Sequence, residues 1–187
     1  MCIRDSYFIA FTGLTNILIF FLQESLNWTT KASSGTLVVV GIIAIIVQGG
    51  LIGPLVKQFG EMRLTLFGSG FILVACALLI TAPKENATIN IYSAVSFLAV
   101  GAGLITPTLR ALISKKLDID KQGSILSNLQ GLQSLGGVLG IAMAGRVYDS
   151  FGPKSPFIAG SVILLFMIYL IAEGKNNSFK NQKQKEI

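Results

Sequence analysis

The side chains able to do chemistry inside the long apolar stretches of this sequence are few and neutral. Asn16, Gln48, Gln130 and Gln133 are carboxamides set in runs without charge, with Glu24 at the edge of the first. An amide donates and accepts hydrogen bonds without gaining or losing a proton, so this set can hold a polar molecule or a neighbouring helix but cannot run acid–base chemistry. Histidine is absent, and the two cysteines, Cys2 and Cys76, stand far apart. That excludes a histidine metal site, a histidine-based triad, an imidazole relay and a thiolate cluster. An intramembrane enzyme would also need buried carboxylates or a nucleophile–base pair. We therefore expect no enzyme, no catalytic residue, no metal and no cofactor.

The elements that position these amides read as membrane spans. Hydrophobic residues make up 52% of the 187 and charged residues 13%, with mean hydropathy +0.69; ordinary soluble domains carry about 25% charged residues. Gly49–Arg63, GGLIGPLVKQFGEMR, is a short basic turn between the apolar runs Thr36–Gln48 and Leu64–Ile80. A charge at the centre of a spanning helix costs a few kcal/mol, which explains why Lys57, Glu61 and Arg63 sit in the turn. The pattern recurs, and predicts an all-α membrane protein with six transmembrane helices over residues 7–23, 35–55, 64–82, 91–109, 124–145 and 157–172. Together these make one domain, residues 1–174. Pro83–Asn90 and Arg146–Pro156 read as turns, Arg110–Gly123 as a charged interfacial loop, and 175–187 as a disordered lysine-rich tail. The basic residues follow the spans instead of forming a stripe interleaved with aromatics, so the expected surroundings are a lipid bilayer and not nucleic acid.

The fifth run differs in kind. Its first half holds Ser127, Asn128, Gln130, Gln133 and Ser134, and its second half Gly136, Gly137, Gly140 and Gly145. Gly136 and Gly140 form a small-residue pair on one helix face, with Ala144 one turn on, where a second helix can pack backbone to backbone. Each amide must point away from lipid. Helix–helix hydrogen bonding, at ~0.6 to 2 kcal/mol per bond, and substrate contact both remain open for it.

Orientation follows from the Lys and Arg residues. With both termini on one side, that side receives eleven of the fifteen, and the other receives only Lys31, Lys84, Arg146 and Lys154. The positive-inside rule then places both termini in the cytoplasm. Asn27-Trp-Thr and Asn86-Ala-Thr are acceptor sequons on the outer side, both in short loops close to the bilayer.

Gly53–Arg63 resembles the cytoplasmic signature between the second and third helices of each six-helix half in the major facilitator superfamily. Gly53, Gly60 and Arg63 fit it, while Lys57 stands where an Asp usually does. Gln48-Gly49, Gly101–Arg110, Gln122-Gly123 and Gly145–Phe157 resemble parts of the second half of drug and tetracycline efflux proteins. The resemblance covers residues 7–172 and implies a major-facilitator-like half bundle belonging to a multi-pass secondary transporter of the cell membrane. It further implies a central path lined by the first, second, fourth and fifth helices, making Asn16, Gln48, Gln130 and Gln133 substrate-cavity candidates for a small amphipathic molecule. Members have twelve helices, so the chain is expected to be incomplete alone and to need an N-terminal half or a second copy. In efflux members the proton-binding acids lie mainly in the first half, so coupling is expected from there. A non-transporting scaffold that binds another membrane protein through the Gly136/Gly140 face is the alternative reading.

The charge asymmetry yields a labelling test. On a cysteine-free background, a cysteine replacing Lys84 is expected to react with an impermeant maleimide added outside intact cells, and one replacing Lys116 only after permeabilisation. The reverse pattern inverts the assignment.

Overall fold

The computed structural model describes residues 2–82, 87–114 and 122–183. Seven α-helices and one π segment follow in order: α1 Cys2–Leu26, α2 Thr30–Ile46, π Val47–Leu51, α3 Ile52–Phe59, α4 Glu61–Thr81, α5 Ala87–Ser114, α6 Gln122–Phe151 and α7 Ser155–Lys183. Because α2, the π segment and α3 form one continuous rod, the described residues make six rods, and no strand occurs among them.

Local chemistry sets the ends. Asn27, at φ 52°, stops α1 in a left-handed conformation that Asn tolerates better than most residues. The Thr29 hydroxyl then accepts from Ala32 N–H at 3.4 Å and caps α2. At the far end of that rod Gly60 breaks the helix, and Gly152 does the same after α6.

Four of the rods contain stretches long and apolar enough to cross a bilayer: Tyr7–Glu24, Thr30–Phe59, Glu61–Thr81 and Thr88–Leu112. Ser155–Ile171 is apolar but shorter, and α6, at 30 residues, is long but carries the amides and serines of its first half. The protein is an all-α membrane bundle. Some boundaries move from those the sequence suggests. The second rod begins at Thr30 and persists to Phe59, and α5 continues through Arg110 to Ser114. Helix α7 runs to Lys183 where a disordered tail was expected; beyond Gly174 that stretch has no Gly or Pro to end the helix, and its three Lys and one Gln are compatible with it. Pro83–Asn86, Lys115–Lys121 and residues 184–187 lie outside the described residues, and with them most of the expected charged loop.

The rods pack in two sets. Helix α1 lies against α6 and α7, while α5 lies against α4 and α2; contacts of α4 with α7 and of α1 with α2 and α5 join the sets. The main core gathers Tyr7, Leu18 and Leu22 of α1 with Ile72 and Leu79 of α4, Val95 and Ile105 of α5, and Leu164 and Met167 of α7. Val47, Leu64 and Leu104 form a second cluster where the π segment meets α4 and α5.

Two crossings bring backbone onto backbone. A Cβ on Gly68 would stand 2.9 Å from Gly101 O, and one on Gly101 would stand 2.6 Å from Gly68 O. A Cβ on Gly13 would lie 2.8 Å from Gly140 O, and one on Gly140 would collide with the Ile9 carbonyl. The Gly136/Gly140 face, expected to be open to a second protein, is therefore filled by α1 of the same chain. With that face occupied, the scaffold reading loses the surface it rested on.

The same enlargement should have opposite results at closed and open glycines. Gly101→Leu is expected to cost at least the ~1–3 kcal/mol typical of overpacking and to reduce the monodisperse fraction in detergent size-exclusion chromatography. Gly145→Leu, at a position with nothing within 4 Å of its Cβ, is expected to leave it unchanged. Equal profiles for the two variants would show that the α4–α5 backbone contact does not support the fold.

Candidate functional site

None of the four amides lies in the packed core: Asn16, Gln48 and Gln130 are exposed and Gln133 is half-buried. On α1, the Asn16 side-chain N–H donates to Thr12 O at 2.9 Å. That satisfies one of its two N–H groups and leaves the other and the amide oxygen available. Gln48 projects from the π segment, with its Cγ 3.9 Å from where a Cβ on Gly103 of α5 would sit. Helices α1 and α6 run parallel, since Ile9 meets Gly136 and Gly13 meets Gly140 and Ala144. Thr12 touches Gly137, and Asn16 and Gln133 lie one turn away in opposite directions, about 12 Å apart along the axes. Gln48 belongs to the α2–α5 set instead. The four amides thus occupy uncovered faces of two helix sets and do not form a single cluster.

Buried polar work falls to hydroxyl groups that amide-centred reading missed. Thr65 and Thr108 meet in the core at 3.1 Å and join α4 to α5. Thr65 Oγ1 also lies 2.9 Å from Glu61 O and Thr108 Oγ1 2.7 Å from Leu104 O, so one of the two hydroxyl protons serves the cross-helix bond and the other a backbone carbonyl. The Tyr7 hydroxyl lies 3.4 Å from Thr106 Oγ1 and links α1 to α5. At the far end of α1, the Tyr148 hydroxyl donates to Glu24 Oε2 at 2.8 Å, so the carboxylate at the edge of the first span ties α1 to α6. Lys154 Nζ donates to Ile80 O at 2.6 Å, giving the end of α4 a cationic cap. The available sequence signal was Thr65 and Ser69, four residues apart in an otherwise apolar run.

The basic turn is built around Gly60. With φ 77° and ψ 157°, its backbone occupies a region essentially restricted to glycine. Its N–H donates to Val56 O at 2.9 Å, closing α3, and its carbonyl accepts Leu64 N–H at 3.2 Å, opening α4. Gly53 and Lys57 are exposed on α3 and Arg63 on α4. Lys57 in the last turn of α3 and Glu61 in the first turn of α4 both complement the helix dipoles. Phe59 and Phe67 pack edge to face across the turn at 6.1 Å. We expect Gly60→Val to lower the correctly folded yield several-fold more than Gly70→Ala, since a β-branched residue is excluded from this backbone region. Matching yields in fluorescence-detected size exclusion would contradict the role given to the turn.

Comparison with known proteins converges on one family. Residues 6–141 match the model of the Major Facilitator Superfamily, well over half the chain. Tetracycline resistance protein, class C, of Escherichia coli is 26% identical over 130 residues, covering 70% of this chain and 32% of that protein. Tetracycline resistance protein, class G, of Vibrio anguillarum is 29% identical over 157 residues, covering 80% and 38%. Hippocampus abundant transcript 1 protein of Mus musculus is 23% identical over 139 residues, covering 74% and 28%. The chain thus spans about a third of the length of the curated relatives it matches. No solved structure matches. With a helical membrane bundle on one side and a family match over most of its length on the other, the chain belongs to the Major Facilitator Superfamily.

Proposed function

We propose that this chain is the carboxy-terminal six-helix half of a drug-efflux-like secondary transporter of the cell membrane, with both termini in the cytoplasm. Family membership and the tetracycline resistance relatives support the transporter class. The half-bundle reading is carried by the exposure of the amides. Asn16 and Gln48 are exposed on membrane-capable rods and Gln130 on α6, where in this reading lipid could offer them no hydrogen bond. The most apolar 18-residue stretch of the α2–α3 rod is 11% buried, against 44% to 50% for those of α1, α4 and α5. A second half set against these faces would turn exposed amides into the wall of a cavity for a small amphipathic substrate. Amides do not titrate, so proton coupling in this reading comes from acidic groups of the first half.

The test is reconstitution. The purified chain alone, in proteoliposomes under an imposed proton gradient, is expected to move no tetracycline. Co-expression with an amino-terminal half of a similar efflux protein is expected to give a stoichiometric complex that does. Within that complex, combining Gln130→Leu and Gln133→Leu should lower uptake at least tenfold without reducing assembly, the size expected from losing about one well-made polar contact. Proton-coupled uptake by the chain alone, as a dimer, would overturn the half-transporter reading in favour of a two-fold cavity built from two copies.

A further inference from the structure

A slot of about 60 Å³ lies where α1, α6 and α7 meet. It runs between Ile9 and Leu14 on α1, Gly140 and Val147 on α6, and Pro156 and Ile163 on α7, and its twelve lining residues are all apolar. Close contacts shut its floor. Gly140 rests on the Ile9 backbone, and a Cβ on Gly160 would lie 2.8 Å from both end methyls of Leu14. Helices α6 and α7 each pack on α1 and far less on each other, so the slot opens between them. Met143, 55% exposed, stands at that opening.

Position around α6 fixes which way the opening looks. At about 100° per residue, Gln130, Gln133, Gly140, Met143 and Arg146 follow one another round the helix in one direction. Gly140 marks the contact with α1. The amides therefore lie on one flank of that contact, and Met143 and Arg146 on the other. On α7 the residues at the slot lie opposite Ile158, Val162 and Leu165, whose side chains are exposed. The slot thus opens toward the outer apolar surface of the bundle, away from the amide-bearing faces.

Shape and lining together select an occupant. From Gly140 to Val147 the slot extends about 10 Å, so its small volume makes a passage one chain wide, with room for several methylene groups. Water finds no partner on such walls, and a fused ring is too broad. A linear hydrocarbon fits. Beside Val147, one turn before α6 ends at Phe151, Arg146 is exposed, at the level where a phospholipid with its tail in the slot carries its phosphate. Lys154 is already bonded to Ile80 O, and Asp149 lies farther round α6 from the slot than Arg146 does. A guanidinium binds phosphate through paired hydrogen bonds. We infer that the α6–α7 slot holds one acyl chain of an anionic phospholipid whose phosphate is bound by Arg146. In the proposed orientation that lipid belongs to the outer leaflet. The site depends on the membrane bundle and not on the transport reading.

Lipid counting tests this directly. The full chain in mild detergent is titrated with phosphatidylglycerol or phosphatidylcholine of the same acyl chains, and bound lipid is counted by native mass spectrometry. One phosphatidylglycerol is expected to bind about fivefold more tightly than phosphatidylcholine, the effect of about one Arg at a membrane surface. Arg146→Gln, at an exposed position that the fold does not need, should make the two lipids equal. Ala159→Leu, which fills the slot, should weaken both about tenfold by displacing roughly two methylene groups. Monodisperse size-exclusion profiles separate lost binding from lost fold. In phosphatidylcholine nanodiscs, phosphatidylglycerol with a mid-chain diazirine should label Met143 and Ile163 on photolysis, and unlabelled phosphatidylglycerol should compete. Labelling spread over Val162, Leu165 and Phe166, without competition and equal in the wild type and both variants, is bulk lipid around the bundle and overturns the site. A preference for phosphatidylglycerol that survives Arg146→Gln, with Arg146 merely reaching for the interface, overturns it equally.

Discussion

The fold depends on how closely two pairs of helix backbones approach. In a bilayer apolar surface gains little by leaving lipid for another helix, so association rests on packing and short-range hydrogen bonds. Glycine removes the side chain that would hold the rods apart. Gly68 and Gly101 bring α4 onto α5, and Gly13 and Gly140 bring α1 onto α6. Each crossing founds one of the two sets: α2 then leans on α5, and α7 on α1 and α4. Any side chain at Gly140 meets the Ile9 backbone, which cannot move aside as the end of a flexible side chain can.

Close packing then sorts the polar residues by size. A Thr or Ser hydroxyl can bond its own helix and still face a neighbour, which lets Thr65 and Thr108 pair in the core at little cost in volume. An amide has two N–H donors and an oxygen, more than its own helix can satisfy. Asn16 shows this, with one N–H committed to Thr12 O and the rest of its amide on an exposed face. Hydroxyls therefore bridge α1, α4, α5 and α6, while carboxamides remain on the faces the rods leave uncovered. The division gives those faces a polarity out of keeping with lipid.

Much of this was legible in the sequence because it depends on local or periodic signals. Uncharged apolar runs marked the spans, and a glycine among Lys57, Glu61 and Arg63 marked a turn whose backbone in fact requires one. Gly136 and Gly140 were legible as a packing face, but their neighbour was not, since spacing along one helix says nothing about which helix arrives. Gly68 was hidden for a related reason: its partner Gly101 lies on another span, and neither is part of a four-residue glycine pair. The π segment at Val47–Leu51 was also hidden, because one extra residue in a helical turn leaves the hydropathy of the run unchanged. The amides lie on helices, but which faces they occupy follows from the crossings, which hydropathy along one run does not show.

The crossings themselves obey a rule that links the two ends of the chain. If the six rods are taken as two consecutive triplets, exchanging each rod for its counterpart maps the contacts of α1 with α6 onto those of α5 with α2. It likewise maps α4 with α5 onto α7 with α1. The glycine devices follow the same exchange: Gly13 against Gly140 corresponds to Gly103 against Val47, and Gly68 against Gly101 to Gly160 against Leu14. Both triplets turn at a Phe-Gly pair. Gly60 follows Phe59 at φ 77° and Gly152 follows Phe151 at φ 91°, and each glycine N–H donates to the carbonyl four residues back at 2.9 Å. Three rods separate the two turns, so in the proposed six-span orientation the turns lie on opposite sides of the bilayer and the triplets are inverted copies. Inversion explains why basic residues differ where backbone geometry agrees. The Gly60 turn, with Lys57 and Arg63 exposed, faces the basic side in the proposed orientation. The Gly152 turn faces the other side and uses Lys154 to cap α4. In that orientation one backbone solution serves both faces of the membrane, with the side chains adapted to each.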